Sequence, residues 1–178
     1  MVYRDRFCMR MAPLDAARSI GLINVAGENL SLLNQELRGL AERYAVAAQE
    51  LLGENLTTVA LYGSVARGEA GPRSDIDLLV ICHTLPTGAF RRRELLDAVR
   101  ERFQVDLENL WDRGIYADFA EIIKGEAEAH RMHWLYLDMT DEAVILFDRG
   151  GFFHEILQSL RGRLRALGAR RRRLGRLR

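Results

Sequence analysis

Apolar residues recur along the chain with two different periods, which divide it into helices and strands. Between Leu30 and Leu51 the apolar positions are three or four residues apart, the spacing of one helix face. Gly53 is expected to end this helix. Three shorter amphipathic segments predict helices at residues 91–103, 125–143 and 152–167. The second of these is expected to break near Tyr136.

Four short apolar runs, several of them rich in β-branched residues, predict strands at residues 57–62, 74–83, 114–124 and 143–148. Strands that alternate with helices indicate an α/β or α+β fold with a small mixed sheet of about four strands. The 178 residues suit one domain with extensions. The predicted organisation is an arm at 1–28, the domain at 29–150, and a C-terminal helix with an arginine-rich tail at 151–178.

Composition places the chain among water-soluble globular proteins, with 48% hydrophobic and 29% charged residues. Its longest apolar runs are too short to cross a bilayer, and the N-terminus has no apolar stretch of signal-peptide length. We therefore expect a cytoplasmic protein without a membrane partner. Cys8 and Cys82 form neither a disulfide framework nor a zinc-binding spacing, and Cys82 is expected to be a buried small side chain.

Positive charge is concentrated at the C-terminal end, where no acidic residue follows Glu155. Such a tail can bind nucleic-acid phosphates. However, Lys124 is the only lysine in the chain, which indicates a general preference for arginine rather than a nucleic-acid site. Both a nucleic-acid contact and a solvated helix end remain open for the tail.

Asp75 and Asp77 are the clearest candidates for chemistry. Alternate side chains on a strand share one face, so the two carboxylates are expected on the same side, with their Cα atoms roughly 6–7 Å apart. Ile76 then points to the opposite, core face. Neighbouring carboxylates repel unless a cation lies between them, and their oxygens suit Mg²⁺. The alternative is an exposed pair on an edge strand, although aspartate is uncommon in strands.

Gly63 and Ser64 lie where the first strand is expected to pass into a helical turn. A glycine lets backbone N–H groups approach an anion, and the start of a helix presents free donors to phosphate. Ser64 adds a hydroxyl group, while Arg67 and Arg73 are candidate phosphate contacts. An ordinary turn, with Ser64 as the helix N-cap and Arg67 bracing the loop, is the alternative.

The segment GSVARGEA followed by SDIDLLV resembles the signature of the polymerase-beta-like nucleotidyltransferase superfamily, and most of all its minimal prokaryotic members. The close match covers roughly residues 59–81. The resemblance implies transfer of a nucleoside monophosphate, with AMP expected, from ATP or another NTP to an acceptor hydroxyl group. It also implies that Gly63 and Ser64 hold the triphosphate, and that Asp75 and Asp77 ligate Mg²⁺ or Mn²⁺.

The same resemblance implies a third carboxylate from a later strand. Asp118 and Glu121 are the candidates, and their numbering places them on opposite faces. Phe119 and Ile123 suit the core face, which would put Asp118 with Asp75 and Asp77 as a metal ligand and as the base for the acceptor. Glu121 on the core side is the awkward consequence of this register.

Several acceptors are compatible with this activity, namely a protein hydroxyl group, a small molecule or an RNA end. Minimal members of the superfamily often pair with a HEPN-type toxin, so a toxin–antitoxin role with a protein acceptor is expected from the resemblance. The alternatives are a non-catalytic antitoxin-like module that binds nucleotide or protein, and nucleic-acid binding through the tail. The apolar C-terminal helix is also compatible with a homodimer.

The remaining polar residues are interpreted as ordinary. His130 and His133 lie three residues apart but lack two further ligands at a suitable spacing for zinc. The charged residues from Glu94 to Glu108 are interpreted as a solvated helix face.

Overall fold

A computed structural model describes residues 19–169 of the chain, without the side chains of residues 19–26 and 28. The elements run in the order α1 (Ser19–Leu52), β1 (Leu56–Tyr62), α2 (Gly63–Ala66), β2 (Ile76–Cys82), α3 (Ala89–Glu101), α4 (Gln104–Asp112), β3 (Phe119–Gly125), α5 (Glu126–Ala129), α6 (Leu135–Glu142), β4 (Val144–Asp148) and α7 (Phe152–Ala166). Two short 3₁₀ turns, Gly53–Asn55 and Arg149–Gly151, flank the outer ends of β1 and β4.

The four strands form one mixed sheet in the order β3-β2-β1-β4. β1 is antiparallel to β2 and β4, whereas β2 and β3 are parallel. A parallel pair needs a long crossover connection, which α3 and α4 supply. The prediction of an α+β fold with a mixed sheet of about four strands is confirmed.

One face of the sheet packs against α1, α3 and α4. The predicted helical stripe is largely confirmed, since Leu33, Leu37, Leu40, Tyr44 and Ala47 are all buried. They pack with the β2 residues Ile76, Leu78 and Val80 in one hydrophobic cluster. The ends of the stripe differ from the prediction because Leu30 and Leu51 are exposed.

The opposite face is covered as well, which the prediction of a single core face on β2 did not include. Leu79 and Ile81 are buried in a second cluster with Tyr136 from α6 and Phe153 from α7. Fully buried strands of this kind carry apolar residues at consecutive positions, as LLVIC does in β2. On the same face of β2, Asp77 near the start of the strand is only half-buried.

The helices differ from the predicted ones most clearly at α1, at α4 and in the segment 125–143, whereas α3 is shifted by only two residues from the predicted 91–103. α1 begins at Ser19, so residues 19–28 of the predicted arm belong to this helix, while residues 1–18 lie outside the described part of the chain. α4 was not predicted as a separate helix. The predicted helix at 125–143 is two short helices separated by residues 130–134, earlier than the expected break at Tyr136. Among residues 19–169, no helix is both long enough and apolar enough to span a bilayer.

Candidate functional site around Gly63, Asp75 and Asp77

The turn after β1 brings a glycine against an aspartate of the neighbouring strand. Tyr62, the last residue of β1, lies opposite Asp77 in the antiparallel β1–β2 pair. Gly63 follows with a φ of 72°, a conformation that favours glycine. A Cβ atom at position 63 would overlap Oδ2 of Asp77 and lie 3.0 Å from its Cγ. The carboxylate of Asp77 is therefore packed directly against the backbone of the Gly63–Ser64 turn.

Burial and charge both act on the Asp77 carboxylate. Burial raises its pKa above the ordinary value, the negative charge of Asp75 raises it further, and the positive charge of Arg67 lowers it. Asp75 is exposed just before β2, whereas Asp77 is half-buried. The two carboxylates are thus close enough to repel each other. An oxygen-rich, mutually repelling pair of this kind fits a hard divalent cation such as Mg²⁺.

The short helix α2 begins at Gly63, and its first residues are Gly63, Ser64 and Val65. Val65 is buried and anchors the turn on the α1 side of the sheet. Ser64 is half-buried, and its carbonyl oxygen accepts a hydrogen bond from the N–H of Glu69 at 2.9 Å. These contacts hold the Gly63–Ser64 turn beside the aspartate pair.

The loop between α2 and β2 is held by a residue that the sequence analysis did not single out. Asn34 on α1 accepts a hydrogen bond from the N–H of Ala70 at 2.8 Å, and its Nδ2 donates to the Ala70 carbonyl at 3.2 Å. At the other end of the loop, the N–H of Tyr116 donates to the Pro72 carbonyl at 2.7 Å. Asn34 lies next to the buried stripe of α1, and that position is the only sequence signal for its role.

The two candidate phosphate-binding arginines have different surroundings. Arg67 donates to Glu69 at 2.8 Å and to Glu142 on α6 at 3.0 Å. It therefore braces the loop while its charge acts on Asp77. Arg73 is exposed in the loop that leads to β2.

Asp118 lies at the predicted position in the backbone, but its carboxylate is engaged elsewhere. Phe119 pairs with Ile76 in the parallel register, which puts Asp118 alongside Asp75. Phe119 is buried in the first cluster, as expected, and Ile123 packs against it. The Asp118 carboxylate accepts two hydrogen bonds from Arg100 on α3, at 2.8 and 2.9 Å. β3 begins at Phe119, later than predicted, so Asp118 precedes the strand.

Arg100 on α3 is the partner of Glu121 on the core side. The interpretation of the charged residues from Glu94 to Glu108 as a solvated helix face is therefore wrong at Arg100. Glu121 lies on the core side, where it accepts hydrogen bonds from Arg100 at 2.6 Å and from the Tyr44 hydroxyl at 3.1 Å. Burial nevertheless raises the pKa of Glu121, against the lowering effect of Arg100. A sequence alone does not reveal which arginine in an arginine-rich helix turns inward.

Two further expectations concern the third metal ligand and the cysteines. Within residues 19–169, no group of three or more Asp, Glu, His or Cys side chains converges closely enough to hold a metal ion, so Asp118 does not join the aspartate pair in one cluster. Cys82 is buried, as predicted, and burial raises the pKa of its thiol to about 11. Cys8 and most of the arginine-rich tail, 170–178, lie outside the described residues.

Comparison with known proteins identifies relatives of this chain. The family model described as "Nucleotidyltransferase domain" matches residues 43–136, more than half of the 178 residues. A Methanocaldococcus jannaschii protein, "Putative protein adenylyltransferase MJ1305", is 25% identical over 125 residues, which cover 70% of this chain and 81% of that protein.

Similar solved structures include a toxin–antitoxin with AMP-PNP, at 18% identity and a TM-score of 0.41 over 71% of this chain and 94% of that chain. Another is a tri-AMPylated Shewanella oneidensis HEPN toxin in complex with an MNT antitoxin, at 14% identity and a TM-score of 0.40 over 72% of this chain and 93% of that chain.

Proposed function

The chain belongs to the nucleotidyltransferase domain family, and from that premise we propose that it transfers AMP from ATP to a hydroxyl group of a partner protein with the help of Mg²⁺. The observation that carries the proposal is the contact between the Asp77 carboxylate and the Gly63 backbone. It brings a candidate metal ligand and a candidate phosphate-binding turn within one small site. The name of the relative from Methanocaldococcus jannaschii supports AMP as the group and protein as the acceptor.

The aspartate pair and the turn have separate tasks in this proposal. Asp75 and Asp77 would hold the ion, and a bound ion would neutralise charge on the triphosphate. The turn at Gly63 and Ser64 donates hydrogen bonds to the phosphate oxygens, because a positive φ at a glycine leaves its backbone open to an anion. Arg67 and Arg73 add positive charge at the edge of the site. Preorganised donors of this kind stabilise the charge that develops during phosphoryl chemistry.

Asp118 is proposed as the third carboxylate and as the base. The acceptor oxygen attacks the α-phosphorus, the bond from that phosphorus to the pyrophosphate oxygen breaks, and the hydroxyl proton passes to Asp118. Its carboxylate is half-exposed, and Oδ2 keeps a lone pair beyond its bond to Arg100, whereas Oδ1 accepts hydrogen bonds from both Arg100 and the N–H of Phe119. A HEPN-type protein is the proposed partner, on the strength of the sequence resemblance to minimal nucleotidyltransferases.

The function is tested by labelling with radioactive ATP. The purified protein, MgCl₂ and the protein encoded by the neighbouring gene are incubated with ATP labelled at the α-phosphate, and in parallel with ATP labelled at the γ-phosphate. We expect protein-bound label from the α-phosphate alone, dependent on Mg²⁺. Label from the γ-phosphate would indicate a kinase and contradict the proposal.

Two variants connect the activity to the site. Asp77→Ala is expected to abolish labelling, because it removes a proposed metal ligand. Asp112→Asn changes an exposed carboxylate at the end of α4 and should label like the parent protein. Undiminished labelling by Asp77→Ala would refute the site assignment. Binding of ATP without any transfer would favour the non-catalytic, antitoxin-like alternative.

A further inference from the structure

Arg100 makes four hydrogen bonds at the end of α3. One terminal nitrogen donates to both carboxylate oxygens of Asp118, at 2.8 and 2.9 Å. The other donates to Glu121 at 2.6 Å and to the carbonyl oxygen of Phe119 at 2.8 Å. The guanidinium group thus binds Asp118, Phe119 and Glu121 around the start of β3.

The core side of this arrangement is rigid. The Glu121 side chain is 6% exposed, and its second oxygen accepts the Tyr44 hydroxyl at 3.1 Å. Tyr44 is fully buried on α1, with its ring centroid 4.7 Å from that of Phe119. A buried carboxylate needs its partner to avoid a large desolvation cost. Glu121 and Tyr44 therefore fix the guanidinium of Arg100 from the interior.

The solvent side of the arrangement carries the Asp118 carboxylate. The Asp118 side chain is 48% exposed. The backbone carbonyl oxygen of Asp118 accepts a hydrogen bond from the N–H of Ile76 at 2.8 Å. The backbone at Asp118 is thus bound to the residue between Asp75 and Asp77. The N–H of Phe119 donates to Oδ1 of Asp118 at 2.7 Å. Asp118 is thereby held on both sides, by the backbone next to the aspartate pair and by Arg100 at its carboxylate.

We infer that Arg100 is a positioning residue, which holds the Asp118 carboxylate in a fixed orientation for its part in the reaction and does not itself touch the substrate. In the metal-free protein this carboxylate lies apart from the Asp75–Asp77 pair. The inference rests on the proposed function, since it concerns the third carboxylate of that site. The planar guanidinium group presents one terminal nitrogen to Glu121 and the other to Asp118 in a fixed relative orientation. A lysine ammonium group acts as a point charge and does not fix two carboxylates in this way.

The first experiment measures ion binding, which needs no turnover. Electron paramagnetic resonance counts the Mn²⁺ ions bound in the presence of α,β-methylene-ATP, an analogue that cannot release pyrophosphate. Arg100→Gln should lower the affinity for the Mn²⁺ ion at Asp118 by about 10-fold, the usual effect of losing a residue that orients a metal ligand. Asp118→Asn replaces the proposed ligand itself and should lower this affinity at least as much. Arg100→Lys should retain part of the affinity. Arg102→Lys is the matched control, because Arg102 pairs with Glu50 at the surface.

The second experiment separates positioning from a general structural role. With ATP labelled at the α-phosphate, Arg100→Gln should lower kcat about 10-fold and leave KM for ATP unchanged. In an Asp118→Asn background, Arg100→Gln should cause no further loss, because the two residues act as one unit. An equal loss in both backgrounds would overturn the inference, as would parental Mn²⁺ binding by Arg100→Gln.

Folding and function are checked independently of these variants. Arg100→Gln leaves Glu121 without its charged partner, so thermal unfolding is recorded for each variant, and the double substitution Arg100→Gln with Glu121→Gln replaces it if the single variant does not fold. If the parent protein transfers no AMP, the proposed function fails, while the Mn²⁺ measurement still decides the role of Arg100. Loss of Mn²⁺ by Asp118→Asn but not by either Arg100 variant would refute that role.

Discussion

At the scale of single residues, the site requires a glycine at position 63, where a side chain would collide with Asp77. Gly63 combines a positive φ with direct contact to the Asp77 carboxylate. Gly68 has nearly the same φ, 70°, but a Cβ atom there would meet nothing within 4 Å. The two glycines therefore separate the cost of backbone strain from the cost of steric overlap.

We predict that Gly63→Ala destabilises the protein more than Gly68→Ala and also abolishes nucleotide binding. Gly68→Ala should cost about 1–2 kcal/mol, the usual price of a left-handed conformation for an L-residue. Gly63→Ala adds displacement of Asp77 to that cost. Urea unfolding and calorimetric titration with α,β-methylene-ATP measure the two effects. Equal destabilisation with preserved binding would show that Asp77 does not need the space at position 63.

The pKa of Asp77 gives a second prediction at this scale, made for the metal-free protein. Asp75→Asn should lower this pKa, because the charge of Asp75 raises it, and Arg67→Gln should raise it, because the charge of Arg67 lowers it. Burial, the largest cause, remains in both variants. Titration of the ¹³C carboxyl resonance of Asp77 measures the shifts. Shifts in the same direction for both variants would contradict the described arrangement of charges.

The same carboxylate has a defined effect on stability. Its pKa in the folded protein lies above the ordinary value, so the folded state binds more protons than the unfolded state between the two pKa values. The contribution of Asp77 to the free energy of unfolding therefore falls as the pH rises through that window. A bound cation is expected to oppose this loss, since it stabilises the ionised form.

At the scale of elements, α1 does more than cover the sheet. Its buried stripe supplies Tyr44, whose hydroxyl donates to Glu121, the buried partner of Arg100. Asn34, ten residues earlier, holds the loop between α2 and β2. One helix thus braces both sides of the aspartate pair. Sheet residues set the register of the acids, and α1 sets the position of the loop and of Arg100 against them.

We predict that Asn34→Ala loosens this loop. Ala70 is buried, so the substitution leaves its N–H and carbonyl groups without the Asn34 partner, at a cost of about 1–3 kcal/mol. Amide hydrogen exchange should be faster at residues 67–75. Calorimetric titration should show a weaker affinity for α,β-methylene-ATP. Gln35→Ala, on the exposed neighbouring position of α1, is the control. Unchanged exchange in Asn34→Ala would mean that other contacts hold the loop.

At the scale of the whole molecule, two hydrophobic clusters share one sheet. α1, α3 and α4 cover one face, and α6 and α7 cover most of the other. The candidate site lies at the end of the sheet where β1 ends and β2 begins. α7 takes part in the second cluster through Phe153 and Leu157, and Arg161 donates to the carbonyl oxygen of Thr140 at 2.5 Å. Shortening the chain within α7 would therefore disturb the fold.

Removal of residues 170–178 tests the arginine-rich tail without cutting α7. We expect unchanged thermal unfolding and unchanged binding of α,β-methylene-ATP. If the tail binds nucleic acid, the truncated protein should elute from heparin at lower salt, since each lost phosphate contact reduces the dependence of binding on salt concentration. The full-length protein is the control. Identical elution would assign the tail no part in nucleic-acid binding.

The local pattern by itself determined the element types and the main motif. A 3.6-residue period identified α1, and strand alternation predicted that Asp75 and Asp77 share one face, because these periods follow from backbone geometry alone. Asp75 itself lies just before β2. The Gly63–Ser64 turn and the resemblance to nucleotidyltransferases came from a contiguous segment. The parity argument also placed Phe119 on the core side, as its burial confirms, whereas the Asp118 carboxylate is bound by Arg100 and does not join Asp75 and Asp77.

Tertiary structure decided what depends on residues far apart in the sequence. Helices cover the second face of the sheet, and Arg100 turns inward to bind Asp118 and Glu121. Asn34 binds the backbone of Ala70 in the loop between α2 and β2. None of these pairings has a periodic signature, because each arises when separate helices pack on the same sheet. The sequence alone therefore identified the groups that carry the proposed chemistry, and only the packing of α1 and α3 determined how those groups are held.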